Sequence, residues 1–248
     1  MRRLVVAVWL AGTACGAQTL AVHPGPAERP VQLPRGVGEE RLMDLCLLSE
    51  VEDAWVYYEE GGSGWWLDVG LREGPDEVLI DVPWSRLTGA GEIAVYHIHP
   101  ALADVVRAAR RYRPMAHGAE ETFRSVVLGE TPGLFARAPG RTDWLGAVEL
   151  RRRARESGLE IDTRVVVAAG VWDYGGRPAA DLGRTWPYLD FEGYVRPEGR
   201  ERMVAAFAAR GLELEFDDRR ALGETELFRQ VFARTLRRYS SAWNPEPP

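Results

Sequence analysis

Glu92-Ile93-Ala94-Val95-Tyr96-His97-Ile98-His99-Pro100 is the stretch from which the rest of the chain is best read. Residues 92–96 form a short apolar run with β-branched members, the pattern of a buried strand, and the run ends at the first of two histidines. Side chains two apart on a strand point to the same face, so His97 and His99 share one. Two imidazoles on one face at a strand end make a natural pair of ligands for a first-row metal ion. Pro100 stops the strand, because it has no N–H to give to a ladder, and opens the chain above the pair. Histidines with only structural hydrogen bonds would produce the same spelling, so the pair needs a third ligand to become a site.

Working outward, the elements alternate in kind. Ala54–Tyr58 and Trp65–Val69 are aromatic and β-branched runs on either side of Glu59-Glu60-Gly61-Gly62-Ser63-Gly64, which predicts a β-hairpin. Glu77–Val82 is expected as a third strand, Glu92–Tyr96 as a fourth and Thr163–Ala168 as a later one. Helical patterns are expected at Glu39–Ser49, at Ala101–Tyr112, from Gly118 onward, at Arg141–Ser157, and near 198–210 and 223–239, where Met203 and Phe207, then Leu227, Val231 and Leu236, recur at helical spacing. Residues 170–197, rich in Trp, Pro and Gly, read as irregular. The sum is an α+β fold, a mixed β-sheet flanked by helices, with a C-terminal helical extension. The expected organisation is a main α+β domain over 39–175, with an irregular segment and closing helices over 176–248 packed on it.

Composition narrows the chemistry. The chain has 248 residues and a net charge of -6, and every one of its 31 basic residues other than histidine is an arginine. Without lysine there is no phosphate-cradling P-loop and no Schiff-base chemistry. Two cysteines, Cys15 and Cys46, cannot build a four-cysteine zinc module or a multi-disulfide framework. The mild acidity argues against nucleic acid as a partner, since a basic face is expected there. Arg151-Arg152-Arg153, set among Glu149, Glu156 and Glu160, reads as a solvated helix face. Cys46 lies in an apolar stretch and is expected to be a buried, inert thiol. The nine tryptophans read mainly as core and turn packing, with aromatic platforms for sugar or peptide chains as the alternative.

The N-terminus reads as an address. Met1-Arg2-Arg3, the apolar run Leu4–Leu10 and the small residues 11–16 follow the order of a secretory signal over residues 1–17. The apolar run is too short to span a bilayer, which takes around 20 residues. Small residues before Cys15 resemble a bacterial lipoprotein signal, which implies a lipid anchor at Cys15; cleavage after Ala14 or Ala17 would instead release a soluble protein. Pro24, Pro26, Pro30 and Pro34 make residues 18–38 a tether containing His23. The chain is therefore expected to be exported, to the bacterial periplasm, the outer membrane or the medium.

Tyr96-His97-Ile98-His99-Pro100 after a short strand resembles the active-site strand of the JAMM/MPN zinc metalloproteases. That resemblance implies an α+β fold, one zinc held by two histidines and an aspartate, and a glutamate from an earlier element acting as general base. The reaction it implies is hydrolysis of a peptide or isopeptide bond in a peptide or protein substrate. His97 and His99 carry over as the zinc histidines. The family then has a serine and, three residues later, the ligand aspartate; that Ser-x-x-Asp does not follow here. The nearest equivalent is His117-Gly118-Ala119-Glu120, so either His117 or Glu120 is expected as third ligand. For the general base, Glu52 or Glu50 lies upstream near a strand start. Asp104, five residues after His99, reads as a cap or partner for Arg107. A cupin reading, from Gly91 ahead of His97-x-His99, lacks the glutamate that motif needs and ranks lower. The other functional reading is a non-catalytic envelope lipoprotein with a binding or assembly role.

Overall fold

Gly61 and Gly62 carry φ values of 60° and 78°, which is what a two-residue type I′ turn demands of both its central residues. The turn joins β2 (Ala54–Glu60) to β3 (Ser63–Asp68), each longer than the sequence pattern suggested. The computed structural model of the chain describes residues 29–74, 77–101, 137–176 and 197–220. The segment expected to be a secretory signal, with Cys15, then His23, the helix expected at Ala101–Tyr112 beyond its first residue, those expected from Gly118 and at 223–239, and the candidate ligands His117 and Glu120 lie outside the described residues. Among the described residues no helix is long and apolar enough to cross a membrane.

A seven-stranded mixed sheet is the frame, in the order β1-β3-β2-β6-β7-β8-β9. Its further strands are β1 (Val31–Gln32), β6 (Ile93–Ile98), β7 (Asp162–Val167), β8 (Gly170–Gly176) and β9 (Leu212–Asp218). Among the described strands only β6 and β7 run parallel, and the connection between them carries helix α2 (Arg141–Glu156), as a parallel pair needs a crossover. Two short strands, β4 (Gly70–Gly74) and β5 (Glu77–Ile80), form a separate hairpin. The fold is therefore α+β with helices on a mixed sheet.

Strand alternation divides the core in two. On one face Tyr57, Ala94, Tyr96, Ile98, Val166 and Ala168 pack against Leu42, Met43, Cys46 and Leu47 of helix α1 (Arg35–Leu48). On the other, Ala54, Val56 and Val95 pack against Leu150 and Ala154 of α2. Val165, Trp172 and Tyr174 meet Trp144 and Ala147 of the same helix. Met203 and Phe207 of α3 (Pro197–Ala208) join this second face. Cys46 is buried and its thiol donates to the Val166 carbonyl at 3.3 Å; burial pushes its pKa far up, which leaves it unreactive.

Several boundaries differ from expectation for physical reasons. The tether expected over 18–38 is structured at its end, because Val31 and Gln32 pair with Trp66 and Trp65 and Pro34 precedes a helix starting at Arg35 rather than Glu39. Pro is well suited to a helix start, where its missing N–H is no loss. Strand β6 runs through His97 to Ile98 instead of ending at Tyr96. The segment 170–197 begins not as irregular chain but as β8, which continues the ladder from β7. Strand β9 was unforeseen, although Leu212, Leu214 and Phe216 alternate with Glu213 and Glu215. Arg151 is not part of a solvated face: it donates to Thr163 Oγ1 and the Tyr174 carbonyl, both at 3.0 Å. Arg152 and Arg153 do pair with Glu149 on the surface.

Beneath α1 lies a charged cluster on the face opposite the histidines. The carboxylate of Glu39, 1% exposed, accepts from Tyr96 Oη at 2.7 Å and Arg219 Nη1 at 2.6 Å, with Arg35 Nε at 3.2 Å. A buried carboxylate persists only with such partners. Trp66 sits tilted between Tyr57 and Tyr96, with centroids 5.2 and 4.9 Å away, and its indole lies on Gly38, where a Cβ would come within 2.1 Å of the ring. Gly38→Ala is expected to destabilise the protein by about 1–3 kcal/mol, because the ring cannot retreat from between two tyrosines; an unchanged midpoint in urea denaturation would contradict this packing.

Candidate metal centre

Three elements build the site. Along β6 the alternation sends His97 and His99 to the α2 face, while Tyr96 and Ile98 go to the α1 face. His97 is 6% and His99 2% exposed. The backbone of His99 donates to the Val166 carbonyl at 2.9 Å, so the pair is held after the strand itself has ended.

The third residue arrives from the start of α2. Gly140 is the N-cap, and its N–H donates to Asp143 Oδ2 at 2.5 Å. This is the reciprocal half of a capping box, with glycine having no side chain to supply the other half. The same carboxylate faces the histidines: Asp143 Oδ1 is 3.3 Å from His97 Nε2, and Oδ2 is 3.4 Å from His99 Nε2. The two Nε2 atoms are 3.2 Å apart. Asp143 Oδ1 makes no hydrogen bond among the described residues, so it is the oxygen left to ligate.

These separations fit a metal ion. Ligand atoms arranged tetrahedrally about 2.0–2.1 Å from zinc lie about 3.3–3.4 Å from one another. The buried His97, His99 and Asp143 triad can hold a metal ion, with two nitrogens and one oxygen converging. Protonation states agree. Burial, the largest effect on His99, lowers its pKa against the pull of Asp143, so the ring is held in its neutral, ligating form. Burial alone would raise Asp143, but the facing imidazoles outweigh it and keep its carboxyl well below the usual carboxylate range.

Glu52, fully buried, reaches the same face from the next strand. The antiparallel register pairs Ala54 with His97, and Ile98 N–H donates to the Asp53 carbonyl at 3.0 Å. Continuing that register by two residues sets Glu52 opposite His99. Its charge is felt at Tyr174, whose phenol is pushed far up by burial first and by Asp143 and Glu52 as well. Of the two expected bases, Glu52 thus belongs to the site's face, whereas Glu50 is half-buried in the Ser49–Val51 turn, where Ser49 Oγ bonds the Val51 backbone.

Asp143 was missed from the sequence. Gly140-Arg141-Thr142-Asp143 has the spacing of the Ser-x-x-Asp pattern, with glycine where the resemblance asks for serine. It lies 44 positions after His99 in the chain, too far for any short-range spacing to connect the two. The signal available was an Asp three residues into a well-formed amphipathic helix beginning after Gly140. Tyr174 is the other unforeseen residue, since its segment read as irregular. His117 and Glu120 lie outside the described residues. No family model, no curated protein and no solved structure matches the chain.

Proposed function

We propose that the protein is a zinc-dependent hydrolase of peptide or isopeptide bonds, with His97, His99 and Asp143 as the metal ligands and Glu52 as the general base. The observation that carries this reading is the convergence of His97 Nε2, His99 Nε2 and the Asp143 carboxylate, the nitrogens 3.2 Å apart and 3.3 and 3.4 Å from the two carboxylate oxygens, together with a buried glutamate, Glu52. Two histidines and one carboxylate are a donor set that zinc takes in catalytic sites, which keep a fourth position open. Bound there, zinc would supply a nucleophilic water at neutral pH and polarise the carbonyl to be attacked.

The chain's own residues supply the rest. Glu52 would take a proton from the attacking water and deliver it to the leaving amine. Burial keeps bulk water from competing for the carboxylates and strengthens each of these interactions. Gly140 brings no side-chain hydroxyl, so oxyanion stabilisation falls to other groups. The charged, apolar and small order of residues 1–17 supports an exported protein, with Cys15 as its lipid anchor. A second reading draws on the burial of the whole triad: a metal that only braces the domain of a non-catalytic envelope protein.

Purified protein expressed with ample zinc is expected to hold one zinc per chain, and His97→Ala with His99→Ala to hold none, by elemental analysis. Zinc-free wild-type protein would overturn the proposal. Against a panel of fluorogenic peptides and isopeptide-linked conjugates, chelator-sensitive cleavage should appear. Glu52→Gln should lower kcat by about 10²-fold or more while zinc content stays unchanged. Zinc-loaded protein that cleaves nothing would favour the bracing role.

A further inference from the structure

We propose that Tyr174 is a positioning residue of the metal centre, its hydroxyl and ring edge fixing Asp143 and His97. The inference rests on the metal reading above and goes beyond it, since neither the His-x-His spelling nor the Asp points to β8. The tyrosine's own backbone is tightly held. Its carbonyl accepts from Thr163 Oγ1 at 2.7 Å and from Arg151 Nη2 at 3.0 Å, and β9 pairs with it through Leu214. From that fixed base the ring stands edge-on to His97, at 6.4 Å and 82°, and against Trp144 at 5.3 Å and 69°. The hydroxyl donates to the Asp143 backbone carbonyl at 3.4 Å. One side chain therefore touches a ligand histidine by its ring and the ligand carboxylate's residue by its oxygen.

A small cavity, with room for about one water, is lined by His97, Asp143, Thr163 and Tyr174 together with Val78 and Ile80. The contacts of Tyr174 are with the His97 ring and the Asp143 backbone, so it acts through the ligands. Groups in that position orient ligands, and their loss typically weakens metal binding by about 10–100-fold. The length of the hydroxyl contact places Tyr174 at the lower end of that range.

Tyr174→Phe removes the hydroxyl alone. Zinc affinity by chelator competition is expected to fall about tenfold, and the visible bands of the cobalt-substituted protein to shift. Phe207→Leu is the control for softened packing, because Phe207 stacks on Trp144 at 5.4 Å. It should lower the unfolding midpoint of the apo protein yet leave zinc affinity and the cobalt spectrum as in wild type. Wild-type affinity and spectrum in Tyr174→Phe would overturn the inference, as would an equal loss in Phe207→Leu. A wild-type protein that binds neither metal would overturn the metal reading itself, and that result is read before any variant is made.

Discussion

Asp143 serves two structures at once. Its Oδ2 accepts the Gly140 N–H that begins α2, and its carboxylate closes a triangle with two imidazoles on β6. A helix start and a candidate metal site are thereby made from one side chain. The orientation that caps the helix leaves Oδ1 facing His97, and a metal ion drawn to Oδ1 would hold the cap in place. Packing of Trp144, Ala147 and Leu150 against the sheet fixes where that helix starts. The core therefore sets the position of the third ligand.

Period-two alternation on β6 distributes the remaining work. His97 and His99 face α2, while Tyr96, just before His97, faces α1 and donates to Glu39. Glu39 is in turn held by arginines from three separate places: Arg35 on α1, Arg164 on β7 and Arg219 after β9. The strand that carries the histidines is thus anchored on its other face by a buried carboxylate whose charge is matched. Such a cluster adds little net stability relative to apolar packing, yet losing one partner from it is costly. Its value to the site lies in fixing β6 against α1 and the end of the sheet.

Much of this could be read from residue order. The Gly61-Gly62 hairpin, the strand ending at the histidines, the helix from Arg141 and the α+β class all follow from local spacing and turn chemistry. Contacts between distant segments could not be read in this way. Asp143 comes to His97 across 46 positions of chain, and no local pattern encodes that approach. Tyr174 sits on β8, where the surrounding Trp, Pro and Gly suggested irregular structure, but ladder bonds from β7 and β9 override weak local preference. Likewise Arg151 lies in a charge run that reads as solvated, and only the packing of α2 turns it inward to Thr163.

X-ray absorption at the zinc edge of metal-loaded protein tests the central claim most directly. The account predicts a first shell of nitrogen and oxygen at about 2.0–2.1 Å, with outer-shell scattering from two imidazoles that disappears in the doubly substituted His97→Ala, His99→Ala protein. A shell of oxygen atoms without imidazole scattering, or a spectrum unchanged by those substitutions, would contradict it.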